Sequence, residues 1–396
     1  MSDFVVYNYP TRICQGFGVR DQLAATLHAA GARRPLLVTD RLIKMLPWFE
    51  PLLASLADFD VRVFADVWGN PVETQVIAGA AAAQAHGADA IIALGGGAPV
   101  DVAKAIALMQ HHPGKLFDYE DGKPDARPVD QPIAFLVALP TTAGTGSEVG
   151  RSSVISHDIS KAKKIIFDPR LLPNVVLADA ELTLGLPPGV TAATGLDALT
   201  HLVEAFLARG HHPMADGIAL EGVRLVAGAL EVAVDFARRL DDGEALSEEE
   251  EAVHRRVRAA MLDASMMGAV AFQKGLGVIH SCAHALSTVC DTHHGLANGV
   301  MLPMGLRFNL AVAPHRFLRL ARAVDPGATD GAAFIDWIVE LRARLGIPAG
   351  LKSLGVKPEH LDDLVAVALA DGCHPSNPRV CTEADFKAIF EEAFTA

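Results

Sequence analysis

Five short apolar runs in the first half of the chain constrain its fold more than any other feature. RPLLVTD (34–40), VRVFADV (61–67), DAIIALGG (89–96), PIAFLVALP (132–140) and NVVLAD (174–179) are apolar along most of their length. Strands read this way when both faces of their sheet are covered. Between the first four lie helical patterns such as VETQVIAGAAAAQAHG (72–87) and PVDVAKAIALMQ (99–110). Strand–helix alternation predicts an α/β fold with a parallel sheet covered by helices on both faces. SSVISHD (152–158) and AKKIIFD (162–168) read as a hairpin inserted before the last strand.

The character changes after about residue 185. LGLPPGV (184–190) punctuates the chain, and Pro188-Gly189 breaks regular structure. Beyond it, Ala/Leu/Val-rich segments with helical spacing dominate and strand signals vanish. In ALSEEEEAVHRRVRAAMLDASMMGAVAF (245–272), Ser247 is placed to cap a helix whose acidic first turn suits the helix dipole. A chain of 396 residues exceeds one ordinary core. The expectation is two domains, an α/β domain over 1–186 and an all-helical domain over 187–396, with a ligand in the cleft between them.

Composition narrows the partners. The formal charge is −13, and no Lys/Arg cluster of the kind nucleic acid needs stands out. Binding to nucleic acid or to an anionic membrane surface is therefore not expected. The opening MSDFVVYNYPTRI lacks a basic region followed by an apolar run, so it does not read as a secretory signal. No apolar stretch approaches the roughly 18–20 residues that span a bilayer. Five scattered cysteines without a CxxC pair argue against a disulfide framework or a thiolate zinc site, and for a reducing, cytoplasmic location.

Two loops carry phosphate-binding chemistry. LGGGAPVDVAKAIAL (94–108) runs from a buried strand through Gly95, Gly96 and Gly97 into a helix. Glycines let backbone N–H groups approach a phosphate, and the helix N-terminus favours negative charge. Val100 stands where the dinucleotide fingerprint G-x-G-x-x-G has its third glycine, so the loop is not that motif. LPTTAGTGSEV (139–149) also follows a strand and offers the hydroxyls of Thr141, Thr142, Thr145 and Ser147. Two such loops at strand C-termini suit a pyrophosphate-bearing ligand. Asp40 ends the first strand, where it could accept from an adenosine ribose, favouring NAD over NADP, or simply cap a helix. Lys163 could reach the cofactor from the hairpin, or be solvated.

A third group of residues points to a metal. TGLDALTHLVEAF (194–206) places Asp197 and His201 four residues apart on one helical face, and GLGVIHSCAHAL (275–286) does the same for His280 and His284. HHGLANG (293–299) adds His293 and His294 at a turn. Four of the sixteen histidines thus fall between 280 and 294, in a stretch that is otherwise apolar. One aspartate and three histidines suit Fe²⁺, Zn²⁺ or Mn²⁺ and leave room for a substrate oxygen. Ser281 follows His280 where H-E-x-x-H would need glutamate, which disfavours peptide hydrolysis.

The ordered set GGGAPVDVAK, LPTTAGTGSEV, AATGLDALTHLVEAF, GLGVIHSCAHAL, HHGLANGVMLP and NPR resembles the iron-containing (group III) alcohol dehydrogenase family across essentially the whole chain. The resemblance implies an NAD(P)-binding α/β domain, a helical metal-binding domain of the dehydroquinate synthase-like type, and commonly a homodimer. It implies a divalent metal, Fe²⁺ before Zn²⁺, held by Asp197, His201, His280 and His294. His284 would be an unliganded proton-relay group. Gly95, Gly96, Gly97, Asp101, Thr141, Thr142, Thr145 and Lys163 would contact the cofactor, with Asp40 at the adenosine ribose. The reaction implied is interconversion of a small primary alcohol and its aldehyde. A hydroxyacid–oxoacid transhydrogenase, another polyol dehydrogenase and a non-catalytic nucleotide or metal sensor are the alternatives.

Four positions depart from the family pattern. Ala98 replaces a serine, His293 replaces a proline, Arg151 stands at a small or neutral position, and Gln273-Lys274 replaces Asn-Ala. If Arg151 and Lys274 lie near the nicotinamide and metal, they would need an anionic partner. This leads to the expectation of a carboxylate-bearing substrate of the 4-hydroxybutyrate or succinic semialdehyde type. The alternative is that both cations pair with Glu148 or nearby aspartates.

Overall fold

The structure, a computed structural model, describes residues 9–395. Eight strands occur among them: β1 (Arg12–Gln15), β2 (Pro35–Asp40), β3 (Arg62–Val67), β4 (Ala90–Gly95), β5 (Phe135–Pro140), β6 (Ser152–Ser156), β7 (Lys163–Phe167) and β8 (Val175–Ala178). The helices of the first half are α1 (Leu23–Ala29), α2 (Phe49–Ala54), α3 (Glu73–His86) and α4 (Gly97–Met109). Then follow α5 (Pro188–Leu207), α6 (Pro213–Asp241), α7 (Glu248–Ala271), α8 (Val278–Cys290), α9 (His294–Leu310), α10 (Pro314–Val324), α11 (Ala332–Leu345), α12 (Leu361–Ala370) and α13 (Glu383–Thr395). No helix among the described residues is long and apolar enough to cross a membrane.

The chain divides into two compact units. One comprises Tyr9–Thr142 and Gly146–Thr183; the other takes Leu184 onward together with Ala143–Thr145 of the second loop. The division falls a few residues before Pro187, which caps α5; Pro188 and Gly189, expected to break regular structure, instead open that helix, because a proline at the first helical position has no N–H partner to lose.

In the first unit, six parallel strands lie in the order β1-β8-β5-β4-β2-β3. Every residue of β4 is buried, as a central strand covered on both faces requires. Separate apolar clusters flank the sheet: Val76, Ala103 and Ile106 pack with one, Leu23, Phe49 and Leu52 with the other. The chain moves outward from β2 to β3, then returns to β4 on the other side of β2. The order therefore reverses between β2 and β4, and ligands of such sheets bind beyond the carboxyl ends at that reversal. The residues there are Asp40 and the Gly95-Gly96-Gly97 triplet. The antiparallel pair β6–β7 forms the hairpin, with Ser152 opposite Phe167.

β1 is the strand that the pattern did not announce. Its four residues, RICQ, pair in parallel with β8 at the sheet edge, and only its two central residues are even partly buried.

The second unit is helical among its described residues. Ser247 caps α7: its hydroxyl accepts from the Glu250 N–H at 3.3 Å while Glu250 Oε2 accepts from the Ser247 N–H at 2.8 Å, the reciprocal pair of a capping box. The unit has its own continuous core, from Leu196 and Phe206 on α5 through Val226 and Leu230 on α6 to Ile279 and Leu302.

Candidate metal centre and cofactor loops

In the sheet unit, Gly95 lies at φ +153°, and a Cβ there would stand 2.6 Å from the Pro99 ring. At Gly96 a Cβ would meet the Thr142 hydroxyl at 2.9 Å. Both close approaches require glycine, and they bring the two loops together: the Thr141 N–H donates to Gly95 O at 3.0 Å. Gly96 caps α4 and Gly97 opens it, so the first-turn N–H groups of a 13-residue helix face the carboxyl end of β4. Thr142 and Thr145 stay partly accessible, whereas Thr141 is buried at 4% exposure.

Asp40 caps the short turn after β2, its Oδ1 accepting from the Leu42 and Ile43 N–H groups at 2.8 and 2.7 Å. Only Oδ2 is left for a ribose. Lys163 opens β7, and its charge reaches Asp101. Asp101 itself is 6% exposed; it accepts from the Ser147 hydroxyl at 2.5 Å and the Val154 N–H at 3.1 Å. It therefore braces the second loop and the hairpin against α4.

Beside it lies a residue that the sequence reading overlooked. Lys104 is fully buried, and its Nζ donates to Ser147 O, Ser147 Oγ, Gly150 O and Ser152 O at 2.6–3.0 Å. Burial pulls its pKa down to about 8 against the opposing pull of Asp101 and Glu148. Asp101 and Lys104 sit three residues apart in an otherwise apolar helix, and that spacing was the available signal. Glu148 is buried near them with Oε1 unpartnered, and burial pushes its carboxyl up to about 7.

The raised Glu148 value gives a stability prediction. Its protonated form is favoured on folding, so its contribution is fully present below the usual value of 4.5 and lost as pH rises through about 7. We expect wild-type stability to fall by about 2–4 kcal/mol across that window relative to Glu148→Gln. Denaturant unfolding of both proteins at each end of the window measures the difference; parallel pH profiles would contradict it.

In the helical unit, Asp197 and His201 come from α5, His280 from α8 and His294 from the first position of α9. Their ligand atoms all lie within 4.8 Å of one another. Nε2 of His294, His201 and His280 stand 3.4, 4.0 and 4.0 Å from Asp197 Oδ1. This is close to the roughly 3–3.5 Å that separates two ligands on one ion with bonds of about 2.1 Å. The imidazoles of His201 and His280 stack at 4.6 Å. Burial pulls His201 down to about 4, partly offset by Asp197, so the ring is held neutral with its lone pair available.

The proline missing before His294 has a local substitute. His293 caps α9, its Nδ1 accepting from the Leu296 N–H at 3.4 Å, which leaves His294 to join the cluster. Gly295 lets α9 approach α5, since a Cβ there would stand 2.4 Å from Ala193 O.

Three further residues shape the cluster, and none was anticipated. Glu204, 2% exposed and on the same helix as His201, lies 2.7 Å from His280 Nδ1 and accepts from the N–H groups of Gly277, Ile279 and His280 at 3.0, 2.7 and 3.3 Å. It caps α8 and keeps the His280 proton on Nδ1, so Nε2 faces the cluster as a lone pair. Asn298, one turn after His294, donates from Nδ2 to Asp197 Oδ1 at 2.7 Å, and its buried Oδ1 has no partner. Asp371 Oδ2 accepts from His284 Nδ1 at 2.7 Å. Burial works to raise the Asp371 carboxyl, but the His284 ring and hydrogen bonds from His284, Cys373 and Ser281 outweigh it and hold it well below the usual carboxylate range. With Nδ1 engaged there, His284 is outside the four-residue set, its ring stacked 5.2 Å from that of His294.

The two extra cations part company. Lys274 is withdrawn from any substrate role: its side chain is 2% exposed, and Nζ pairs with Asp216 Oδ1 at 2.6 Å and donates to Phe206 O at 2.9 Å. Arg316 joins the same carboxylate. An ammonium buried in this way already has its counterion. Arg151 is half-buried, its guanidinium 5.2 Å over the Phe167 ring, and no carboxylate among the described residues pairs with it.

The chain resembles known proteins over nearly its whole length. Residues 10–180 match the family described as iron-containing alcohol dehydrogenase, and residues 191–394 match the Fe-containing alcohol dehydrogenase family, C-terminal. The chain is 38% identical over 395 residues to 4-hydroxybutyrate dehydrogenase of Cupriavidus necator, covering 97% of this chain and 98% of that one. A solved 1,3-propanediol oxidoreductase superposes with a TM-score of 0.90 at 33% identity, covering 98% of this chain and all of the other. Sulfoacetaldehyde reductase of Bifidobacterium kashiwanohense, solved with NAD⁺, superposes with a TM-score of 0.87 at 29% identity, covering 99% of each chain.

Proposed function

Because this chain belongs to the iron-containing alcohol dehydrogenase family and is an oxidoreductase acting on CH–OH groups, we propose that it interconverts a small, carboxylate-bearing primary alcohol and its aldehyde with NAD and one Fe²⁺ ion. The observation that carries the metal is the Asp197, His201, His280 and His294 donor set. Three imidazole nitrogens around one carboxylate oxygen form a ring of lone pairs, with the Asn298 amide as a donor into it. Such a ring suits a divalent cation and leaves coordination positions for a substrate oxygen.

When bound, the ion supplies Lewis acidity toward the alcohol or aldehyde oxygen, and the nicotinamide supplies or takes the hydride. The chain's own residues do the rest. Glu204 fixes the ring of His280. Asp371 keeps the His284 proton on Nδ1, so Nε2 is the atom that exchanges a proton with substrate or solvent. Gly95, Gly96, Gly97 and the start of α4, with Thr142 and Thr145, cradle the pyrophosphate; Thr141 and Asp101 hold those loops in shape. Asp40 Oδ2 meets the adenosine ribose, which favours NAD over NADP, and Lys163 adds positive charge. The working form is a cytoplasmic homodimer.

A carboxylate on the substrate is favoured by Arg151, which has no carboxylate partner among the described residues, and by the anionic substrates that two relatives are named for, 4-hydroxybutyrate and sulfoacetaldehyde. Iron-loaded protein should oxidise NADH with succinic semialdehyde, and Arg151→Ala should lower kcat/KM for it relative to butyraldehyde. A charge-assisted hydrogen bond contributes about 1.5–3 kcal/mol, so the ratio should fall roughly ten- to hundredfold. An unchanged ratio would remove the anionic substrate and leave the dehydrogenase standing.

A further inference from the structure

We propose that His284, Asp371 and Cys373 form a second divalent-cation site, one that selects thiophilic ions such as Zn²⁺ and, when filled, takes His284 out of proton exchange. The ligand atoms of this trio lie within 4.8 Å of one another. They are a nitrogen, an oxygen and a sulfur donor, and none belongs to the Asp197 set.

The trio is built rather than accidental. Asp371 follows α12 as its cap residue, and both its oxygens are held: Oδ1 accepts from the Ser281 hydroxyl at 2.8 Å and the Cys373 N–H at 2.9 Å, and Oδ2 from His284 at 2.7 Å. The Ser281 hydroxyl also accepts from the His374 N–H at 3.1 Å, which fixes the turn that carries Cys373. His284 and Asp371 side chains are 14% and 16% exposed, so neither is sealed from solvent.

Charge and donor type set the selectivity. A neutral imidazole, a carboxylate and a thiolate together neutralise a divalent ion, and the sulfur favours Zn²⁺ over Fe²⁺ or Mg²⁺. On binding, the Cys373 thiol proton leaves to solvent, and where the ion takes His284 Nδ1 the ring proton moves to Nε2. No electron transfer is involved. Either way a coordinated ring no longer hands a proton to substrate or solvent, so Zn²⁺ above one equivalent acts as an inhibitor.

The inhibitory consequence rests on the proton-relay role of His284; the site itself does not. Cobalt(II) separates the two. Added anaerobically to iron-loaded, full-length protein, Co²⁺ in the Cys373 site gives a sulfur-to-metal charge-transfer band in the near ultraviolet. Co²⁺ exchanging into the Asp197 site gives none, because that set has no thiolate. The expected result is a saturating band and one extra metal per chain, both lost in Cys373→Ser and weakened at least tenfold in Asp371→Asn. Zn²⁺ should inhibit wild-type turnover and Cys373→Ser at least tenfold less. No band, no extra equivalent, or a band that survives in Cys373→Ser and Cys373→Ala overturns the site. A band without Zn²⁺ inhibition keeps the site and overturns the relay role.

Discussion

Replacing His280 with alanine should remove the divalent metal and the turnover together. The substitution takes one of three nitrogens from the cluster and opens a buried hole beside Asp197, whose carboxylate then faces two imidazoles instead of three. Partial compensation is blocked by the packing. Asn298 is fully buried and already donates to Asp197, and His284 is turned toward Asp371. Lewis-acid stabilisation of a developing alkoxide is worth several kcal/mol, so kcat should fall about 10³- to 10⁵-fold. Metal per chain, measured after anaerobic purification with added Fe²⁺, should drop from near one to a small fraction. NADH binding, which we propose rests on the sheet unit, should persist and serves as the control for folding. If the variant retains full metal content, the donor assignment is wrong, whatever happens to the rate.

The part of this arrangement that could be read in the sequence is the part encoded locally. β4 and β5 announce themselves because a doubly covered parallel strand must be apolar at nearly every position, and α7 because its serine, acidic turn and apolar spacing are contiguous. Asp197 with His201, and His280 with His284, are visible as pairs because helical spacing puts them on one face. What stayed hidden depends on distance along the chain. Glu204 meets His280 across 76 residues and Asn298 meets Asp197 across 101, so neither partner is implied by its neighbours. The same blindness produced the misplaced role of Lys274, whose counterion Asp216 lies 58 residues away. A lone cation in sequence looks unpaired; in space it is satisfied. β1 escaped for another reason, since four residues at a sheet edge, the outer two exposed and the inner two only partly buried, carry too little pattern to distinguish them from a loop.

Glu204 is where stability and metal affinity should fail together, and two substitutions separate the causes. Its carboxylate is buried at 2% exposure and accepts four hydrogen bonds: three from N–H groups at the start of α8 and one from the His280 ring. Those three N–H groups have no partner within their own helix, and the helix dipole adds to the attraction for a negative charge there. Glu204→Ala leaves all of them and the ring N–H buried without an acceptor. At about 1–3 kcal/mol for each stranded donor, tempered by local relaxation, the loss should be roughly 3–5 kcal/mol, visible as a large drop in Tm. Glu204→Gln keeps the volume and one acceptor oxygen but turns an N–H₂ group toward donors. Part of the capping survives, so Tm should fall less. The ring of His280, however, loses the partner that holds its proton on Nδ1, and a proton shifted to Nε2 would occupy the lone pair that faces the ion. Metal affinity should therefore fall about 10- to 100-fold in Glu204→Gln even where the fold is retained. Titration with Fe²⁺ beside a melting curve for each variant decides between the two contributions. A glutamine variant that melts early yet binds metal as tightly as the wild type would reduce Glu204 to a helix cap.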